Sequence, residues 1–397
     1  VIATSRNLSG SNLERAGDHN QRITLHAIRV CGPVTRTDLA LLTGLTATAI
    51  TNITARLLRH RLILKVGRIR GARGQPATKL SINPDSCYSL GLNVDRDHIT
   101  LVLVDFAGRV RARSCREVKF ALPQTVLHFV RRSAGRLISK AGISPARLVG
   151  LGVAFPDDIQ EAALPGQPAQ YTIWRSVAID RLLSSALPVP IFVENDAAAA
   201  AMGEMHFGLG QQYQSFFYIL ITAALGGGLV VDGHYFRGAT GRSGELGLLP
   251  LHDGVGGAQR LQHIVSLSAL KELLAASGYR VSSPKDLAHL DEPAQEIINT
   301  WISTSVDALE HALVAIEYLI DPETILIGGR LPGPLVDRLA DSLNERLRSR
   351  RSTPSSVSIA RAALADDAPA VGAAVLAFSD RFLPTRFALM KPALQQP

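Results

Sequence analysis

The hydrophobic pattern of this chain changes period at Tyr88, and such a break predicts folded units of different kind on its two sides. From Tyr88 onward short β-rich runs dominate: Ser89–Val94, Ile99–Asp105 and Val110–Val118, joined by the turns Asp95-Arg96-Asp97-His98 and Ala107-Gly108. A helix is predicted over 123–140, a strand over Leu148–Phe155, a helix over Val177–Leu187 and a strand over Ile191–Glu194. Asn195-Asp196 then opens an alanine-rich helix to Met205, and Phe216–Thr222 pairs with Gly227–Val231 across Ala223–Gly228. Helices follow over 258–277 and 293–320, then a strand Thr324–Ile327 with the turn Gly328-Gly329. A helix to Arg350, a strand Val357–Ala360 and a helix from Ala368 complete the pattern. A strand triplet followed by alternating helices and strands, and then a second such set, predicts an α/β fold of two lobes around a cleft.

The segment before the break has helical spacing. A helix over His19–Val30, with Ile23, Ala27, Ile28 and Val30 on its core side, stops at Gly32-Pro33. Thr35-Arg36-Thr37-Asp38 is a capping-box-like start whose side chains take up orphan amides, here for a short helix carrying Leu39, Leu41 and Leu42. Thr43-Gly44-Leu45 is a tight turn, and Thr46 caps a third helix through Arg59 with Ile50, Ile53, Leu57 and Leu58 spaced for burial. Two short helices joined by a glycine-containing turn are the helix-turn-helix signature. Ala47, Thr48, Thr51, Asn52 and Ala55 fall off the apolar stripe and are small or hydrogen-bonding, as an element entering a major groove must be.

Leu62–Leu64 and Val66–Pro76, then Ala77–Ile82, read as a two-stranded wing with a basic, glycine-rich tip. There Arg70 and Arg73, with Gln75, are placed to reach phosphates or a minor groove, and Arg36 to hold a phosphate. The expected DNA-contacting set is Arg36, Thr46, Ala47, Thr48, Thr51, Asn52, Arg70, Arg73 and Gln75. A small module used for dimerisation or protein contacts is the plainer alternative.

Charge divides the chain at the same place. Residues 1–80 carry thirteen Lys/Arg against Glu14, Asp18 and Asp38, a net +10, while the remainder holds 29 basic and 31 acidic side chains. The whole excess of the +8 chain therefore lies in its first fifth, which suits a polyanion such as DNA or RNA, or else a merely solvated basic surface. With 46% hydrophobic and 19% charged residues the chain is globular and not disordered. No run of about 18 apolar residues predicts a membrane helix, and no basic stub with an apolar run predicts a secretion signal. Cys31, Cys87 and Cys115 lack metal-ligand spacing and read as free thiols of a cytoplasmic protein.

Several ordered motifs carry a family resemblance over about residues 20–380. They are Pro190-Ile-Phe-Val-Glu-Asn-Asp-Ala-Ala-Ala-Ala-Ala-Met-Gly-Glu204, Gly226–Gly228 through Asp232-Gly233, Arg237-Gly238-Ala239 to Gly244-Glu245-Leu-Gly247, and Asp321–Gly329. Together they resemble the ROK family of bacterial sugar kinases and repressors, with an actin-like (ribonuclease H-like) fold. The resemblance implies an α/β chain with a winged helix-turn-helix domain over 1–82 and a two-lobed sugar-kinase-type domain over 83–397. The lobes would be about 83–195 plus the C-terminal helix, and about 196–365.

The resemblance also assigns residues. Asn195 and Asp196 match the sugar-binding pair, Asp196 standing where kinases carry their base; a helix-capping aspartate is the other reading. Glu245 completes the set, or is a buried structural carboxylate. Phe155-Pro156-Asp157-Asp158 lies where the family has a Pro-Gly loop over the sugar, which adds Asp157 to the ligand-binding candidates.

The kinase features depart from the pattern. Where the kinases have an Asp-x-Gly-Gly-Thr-like turn the chain reads Asn93-Val-Asp-Arg-Asp-His98, whose bulk and two carboxylates would block and repel a triphosphate. Thr222–Gly228 departs from the second loop as well. The family's zinc histidine is Leu248 here, and His252–Ala258 holds no cysteine, so His252 and His263 cannot complete a site. No metal and no cofactor is expected.

The sequence thus reads as a non-enzymatic, cytoplasmic transcriptional regulator of carbohydrate-utilisation genes, in the manner of the family's repressors. Its expected partners are operator DNA and a sugar or sugar derivative, with no membrane, in a homodimer or dimer of dimers matched to a two-fold operator. An ATP-dependent sugar kinase with a DNA-binding appendage is the alternative. A constitutive DNA-binding protein whose C-terminal domain only dimerises is a third.

Overall fold

The computed structural model describes residues 13–69, 77–156, 169–251, 259–350 and 357–384. The chain groups into two compact units, one built on the chain up to Tyr88 with Asp105–Arg109 and the end from Phe378, the other on Ser89–Val104 and Val110–Ala377.

In the first unit helix α1 (Leu13–Cys31) buries Thr24, Leu25 and Ile28. Val30, expected to face inward, is 39% exposed, because two residues beyond Ile28 is about 200° around a helix. Helix α2 (Arg36–Thr43) starts at the capping box: Asp38 N donates to Thr35 Oγ1 at 3.2 Å and Thr35 N to Asp38 Oδ2 at 2.8 Å. It ends at Gly44, whose φ of 68° is a left-handed cap. Only Leu39 of this short helix is buried; Leu41 and Leu42 stand 81% and 55% exposed on its other sides.

Helix α3 (Ala47–Arg59), capped by Thr46, buries Ile50, Ile53 and Leu57. Strands β1 (Ile63–Ile69) and β2 (Ala77–Ile82) then pair antiparallel with Ile63 opposite Ile82, and Leu80 exchanges backbone bonds with Val34. The expected wing-tip residues Arg70, Arg73 and Gln75 lie outside the described residues.

The unit extends beyond the expected limit at residue 82 for a physical reason. Arg22 Nη1 donates to the carbonyl oxygens of Ser379, Asp380 and Leu383 at 3.2, 3.1 and 3.2 Å, and Phe106 meets Phe378 and Phe382 edge-on. These contacts tie the turn at 105–109 and the end of the chain to α1 and its neighbours.

The second unit holds two five-stranded sheets. The first is made of β3 (Tyr88–Val94), β4 (His98–Asp105), β5 (Val110–Glu117), β6 (Leu148–Ala154) and β7 (Ile191–Glu194), in the order β5-β4-β3-β6-β7. Helices α4 (Pro123–Lys140) and α5 (Ile179–Ser184) belong to this half. Helix α6 (Asp196–Phe207) leads to the second sheet. That sheet comprises β8 (Phe216–Ile221), β9 (Leu225–Val231) and β10 (His234–Tyr235), with two strands from later in the chain.

A two-residue pair, β11 (Pro250–Leu251) with β12 (Gln259–Arg260), precedes α7 (Leu267–Ala276) and the long α8 (Glu292–Ile320). The helix expected over 258–277 therefore begins only at Leu267, where the Ser266 hydroxyl accepts from Ala269 N at 3.1 Å. Then come β13 (Thr324–Gly329), α9 (Gly333–Arg350), β14 (Ser358–Arg361) and α10 (Ala368–Arg381), giving the order β10-β9-β8-β13-β14.

Ile219, Ile221, Ile325 and Ile327 of this sheet pack with Trp301 and Leu309 of α8 and Leu339 and Leu343 of α9. Helix α10 is held backbone to backbone. A Cβ at Gly91 would lie 1.8 Å from Ala370 O, at Gly152 1.7 Å from Ala373 O, and at Gly372 1.6 Å from Ala199 O. So α10 touches β3, β6 and α6 at once. Among the described residues no helix is long and apolar enough to cross a membrane.

Candidate functional site

The ends of β7, β9 and the β3–β4 turn converge on one small polar pocket in the second unit. Its position follows from small residues. A Cβ on Gly226 would lie 2.9 Å from Ala197 Cβ, one on Gly228 2.6 Å from Ala201 Cβ, and one on Gly227 2.4 Å from Gly244 O. The glycines of β9 thus admit the alanine face of α6 on one side and the loop before Glu245 on the other. Larger side chains at either place would hold Asn195-Asp196 and Glu245 apart.

Asn195 caps α6, its Oδ1 accepting from Ala197 N at 2.9 Å and Ala198 N at 3.1 Å. The capping alternative raised for Asp196 therefore falls mainly to its neighbour. Asp196, the first residue of the helix, accepts from Ala197 N at 2.8 Å and lines the pocket with Asn195. Glu245, half-buried, lines it from the other side. Three of the four expected ligand residues share one cavity. The fourth, Asp157, and the zinc-loop residue His252 lie outside the described residues, although Pro156 lines the pocket.

Two charged lining residues were not anticipated as ligand contacts. Asp95 and Arg96, both 2% exposed, form the remaining polar edge. The sequence marked this turn only as a failed phosphate hairpin. Nothing in its residue order signals that Asp95 N bonds His98 O and Ala121 N bonds Arg96 O, contacts that fold the turn inward. The pocket thus presents three carboxylates, one amide and one guanidinium, with Thr222 and the glycines of β9 beside them. Such groups bridge neighbouring hydroxyls of a polyol, with the carboxylates accepting and Asn195 and Arg96 donating.

The far side of the turn is sealed by charge. Asp97 accepts from Lys271 Nζ at 3.1 Å, Arg330 Nη1 at 3.2 Å and His98 Nδ1 at 3.0 Å. Arg330 also grips Glu117 through both guanidinium nitrogens. Burial alone would raise the Asp97 carboxyl, but the His98 hydrogen bond and the charges of His98, Lys271 and Arg330 outweigh it and hold the group far below the ordinary carboxylate range. Asp95, Asp97 and His98 offer ligand atoms within 4.8 Å of one another, yet the two cations already there oppose a metal ion.

In the first unit Thr46, Ala47, Thr48, Thr51 and Asn52 all stand exposed along one side of α3. Arg36, expected to hold phosphate, turns toward α3 instead, and its Nε donates to Thr54 Oγ1 at 2.8 Å. Part of its fork is spent inside the unit. Arg56 and Arg59 in the last turn of α3, with Lys65 and Arg68 on β1, add exposed cations.

A family model described as the ROK family matches residues 89–380. An uncharacterized protein of Sinorhizobium fredii is 30% identical over 369 residues, 91% of each chain. The xylose repressor of Bacillus subtilis is 27% identical over 231 residues, covering 57% of this chain and 59% of the repressor. A crystal structure of a ROK family transcriptional regulator, described as a homolog of the E. coli MLC protein, superposes with a TM-score of 0.66 at 22% identity, over 93% of this chain and 98% of that one. A ROK family glucokinase from Streptomyces griseus, solved with glucose and AMPPNP, gives 0.58 at 21% identity over 74% and 99%. By the match over the second unit and the full-length relative, the chain belongs to the ROK family.

Proposed function

We propose that this protein is a sugar-responsive, DNA-binding transcriptional regulator whose kinase-like unit senses its effector and does not phosphorylate it. The observation that carries the reading is the β3–β4 turn. It completes a polar pocket with Asp95 and Arg96 on one side, while on the other Asp97 is already ion-paired with Lys271 and Arg330. Such an edge suits the hydroxyls of a sugar, whereas a triphosphate would meet carboxylates. The +10 charge of residues 1–80 and the exposed Thr48, Thr51 and Asn52 on α3 support a winged helix-turn-helix that reads operator DNA. Arg70, Arg73 and Gln75 would act from the wing.

Asn195, Asp196, Glu245 and Asp157 would hold the effector. Coupling would follow if the sugar favours one arrangement of the second unit and thereby changes the spacing of two recognition helices in a homodimer. Repression relieved by sugar is the direction supported by the relatives named xylose repressors. Xylose and glucose are accordingly the first probes. A binder raises the unfolding midpoint in proportion to the logarithm of its concentration. The reading expects that rise from at least one neutral sugar, with no ADP released from ATP.

The retained Asp196 beside Asn195 favours a second reading, a sugar kinase carrying a DNA-binding appendage. Sugar-dependent ADP release that disappears in Asp196→Ala would establish it and overturn the first.

A further inference from the structure

We infer that Lys271, Arg330 and His98 form an oxyanion site whose resident anion is the chain's own Asp97 carboxylate. The three donors come from distant parts of the second unit: α7, the residue following β13, and the first residue of β4. All converge on two oxygen atoms, Lys271 Nζ on Oδ2 and Arg330 Nη1 with His98 Nδ1 on Oδ1. With the Asn93 amide donating to His98 Nε2 at 3.1 Å, Nδ1 carries its proton toward Asp97. Two full charges and an N–H around one carboxylate form the donor set that recognises a phosphate-like group.

The site is deep on one side and open on the other. The Arg330 side chain is 6% exposed, whereas Lys271 and Asp97 are 24% and 21% exposed, so a small anion from solvent can reach the position Asp97 fills. Arg330 is shared between Asp97 and Glu117, whereas the Lys271 ammonium pairs with Asp97. Stripped of that carboxylate, the Lys271 ammonium would lose its counter-ion and Arg330 would be left with Glu117, which leaves uncompensated positive charge in a part-buried nest, a costly arrangement. It would then recruit an oxyanion of the phosphate or pyrophosphate class. Whether or not the chain reads DNA, Asp97 keeps the β3–β4 turn seated without any exogenous anion, and with it the Asp95-Arg96 edge of the pocket.

Chemical rescue tests this. Asp97→Asn and Asp97→Ser full-length chains are melted in chloride and in sodium pyrophosphate at matched ionic strength, beside the unaltered chain and an Asp97→Ser/Lys271→Met double variant. The unaltered chain should melt at the same temperature in both. The single variants should melt lower in chloride and recover in pyrophosphate, by an amount rising with the logarithm of its concentration, and the double variant should lose most of that recovery. A variant that does not fold in chloride is refolded with and without pyrophosphate, and recovery of folded protein then replaces the melting temperature as readout. Failure of pyrophosphate to rescue either single variant overturns the assignment. So does equal stabilisation of the unaltered chain, or undiminished rescue of the double variant.

Discussion

Two glycine-to-alanine changes in helix interiors should shift stability in opposite directions. Gly135 lies in α4, where an added Cβ meets nothing within 4 Å. There alanine only lowers the entropy lost on folding, and Gly135→Ala should stabilise by about 0.5–1 kcal/mol. Gly372 lies in α10, where the same Cβ would sit 1.6 Å from Ala199 O, against the 3.0 Å below which real Cβ contacts essentially never occur. Helices α6 and α10 must part by at least about 1.4 Å, the difference of those distances, or the substitution is not accommodated. Overpacking of this kind costs about 1–3 kcal/mol, and here the obstacle is backbone that cannot rotate aside.

Because α6 carries Asn195 and Asp196 at its start, Gly372→Ala should also weaken sugar binding, whereas Gly135→Ala should not. Urea denaturation followed by circular dichroism, with thermal shifts in sugar, measures both. A Gly372→Ala protein as stable as the unaltered chain, or displaced in the same direction as Gly135→Ala, would refute the proposed seating of α10.

Further outcomes follow from single groups. Asn195→Asp keeps an oxygen for Ala197 N and Ala198 N but loses the amide donor, so it should retain stability and bind sugar less well, whereas Asn195→Ala should lose both, with about 0.5–2 kcal/mol of stability; equal stability of the two variants would count against the cap. The Cys87 thiol is pushed up to about 12, chiefly by burial, while Cys31 and Cys115 are exposed. A disulfide reagent at neutral pH should therefore titrate two thiols in the native chain and the third only after unfolding. The Thr35 backbone N–H, then its hydroxyl, holds the Asp38 carboxyl below its ordinary value, so its contribution is complete above that value and lost as pH falls through the folded-state value. The stability difference between the unaltered chain and Asp38→Asn should accordingly shrink on acidification; a constant difference would exclude the capping carboxylate.

Local signals in the sequence were legible where one short stretch held both partners. The Thr35–Asp38 box, the Gly44 turn and the Thr46 cap all lie within a few residues of the helix ends they define. The start of α7 was missed because apolar spacing before Ser266 resembled helix, although a serine cap was present to mark the boundary. Of the three leucines the sequence places on the eight-residue α2, only Leu39 is buried, and spacing in so short a helix did not say which.

The pocket was half legible. Asn195, Asp196 and Glu245 were recognisable by motif, but Arg96 and Asp95 enter it through a turn whose inward fold depends on tertiary contacts. The ties of Asp97 to Lys271 and Arg330 cross 174 and 233 residues, beyond any local pattern. The run Ala197–Ala201, which carried no readable chemistry, proves to be the small surface against which the β9 glycines and Gly372 close.

The central claim is that the basic first unit reads DNA under the control of a sugar in the second. Its most direct test is a fluorescence titration of the full chain against a palindromic fragment from upstream of its own coding region, across a salt series and with or without sugar. The account predicts specific binding whose log affinity falls linearly with log salt, by about 0.9 for each phosphate neutralised, and whose affinity changes when the sugar that raises the unfolding midpoint is added. Equal affinity for unrelated DNA of the same length, or binding indifferent to that sugar, would contradict it.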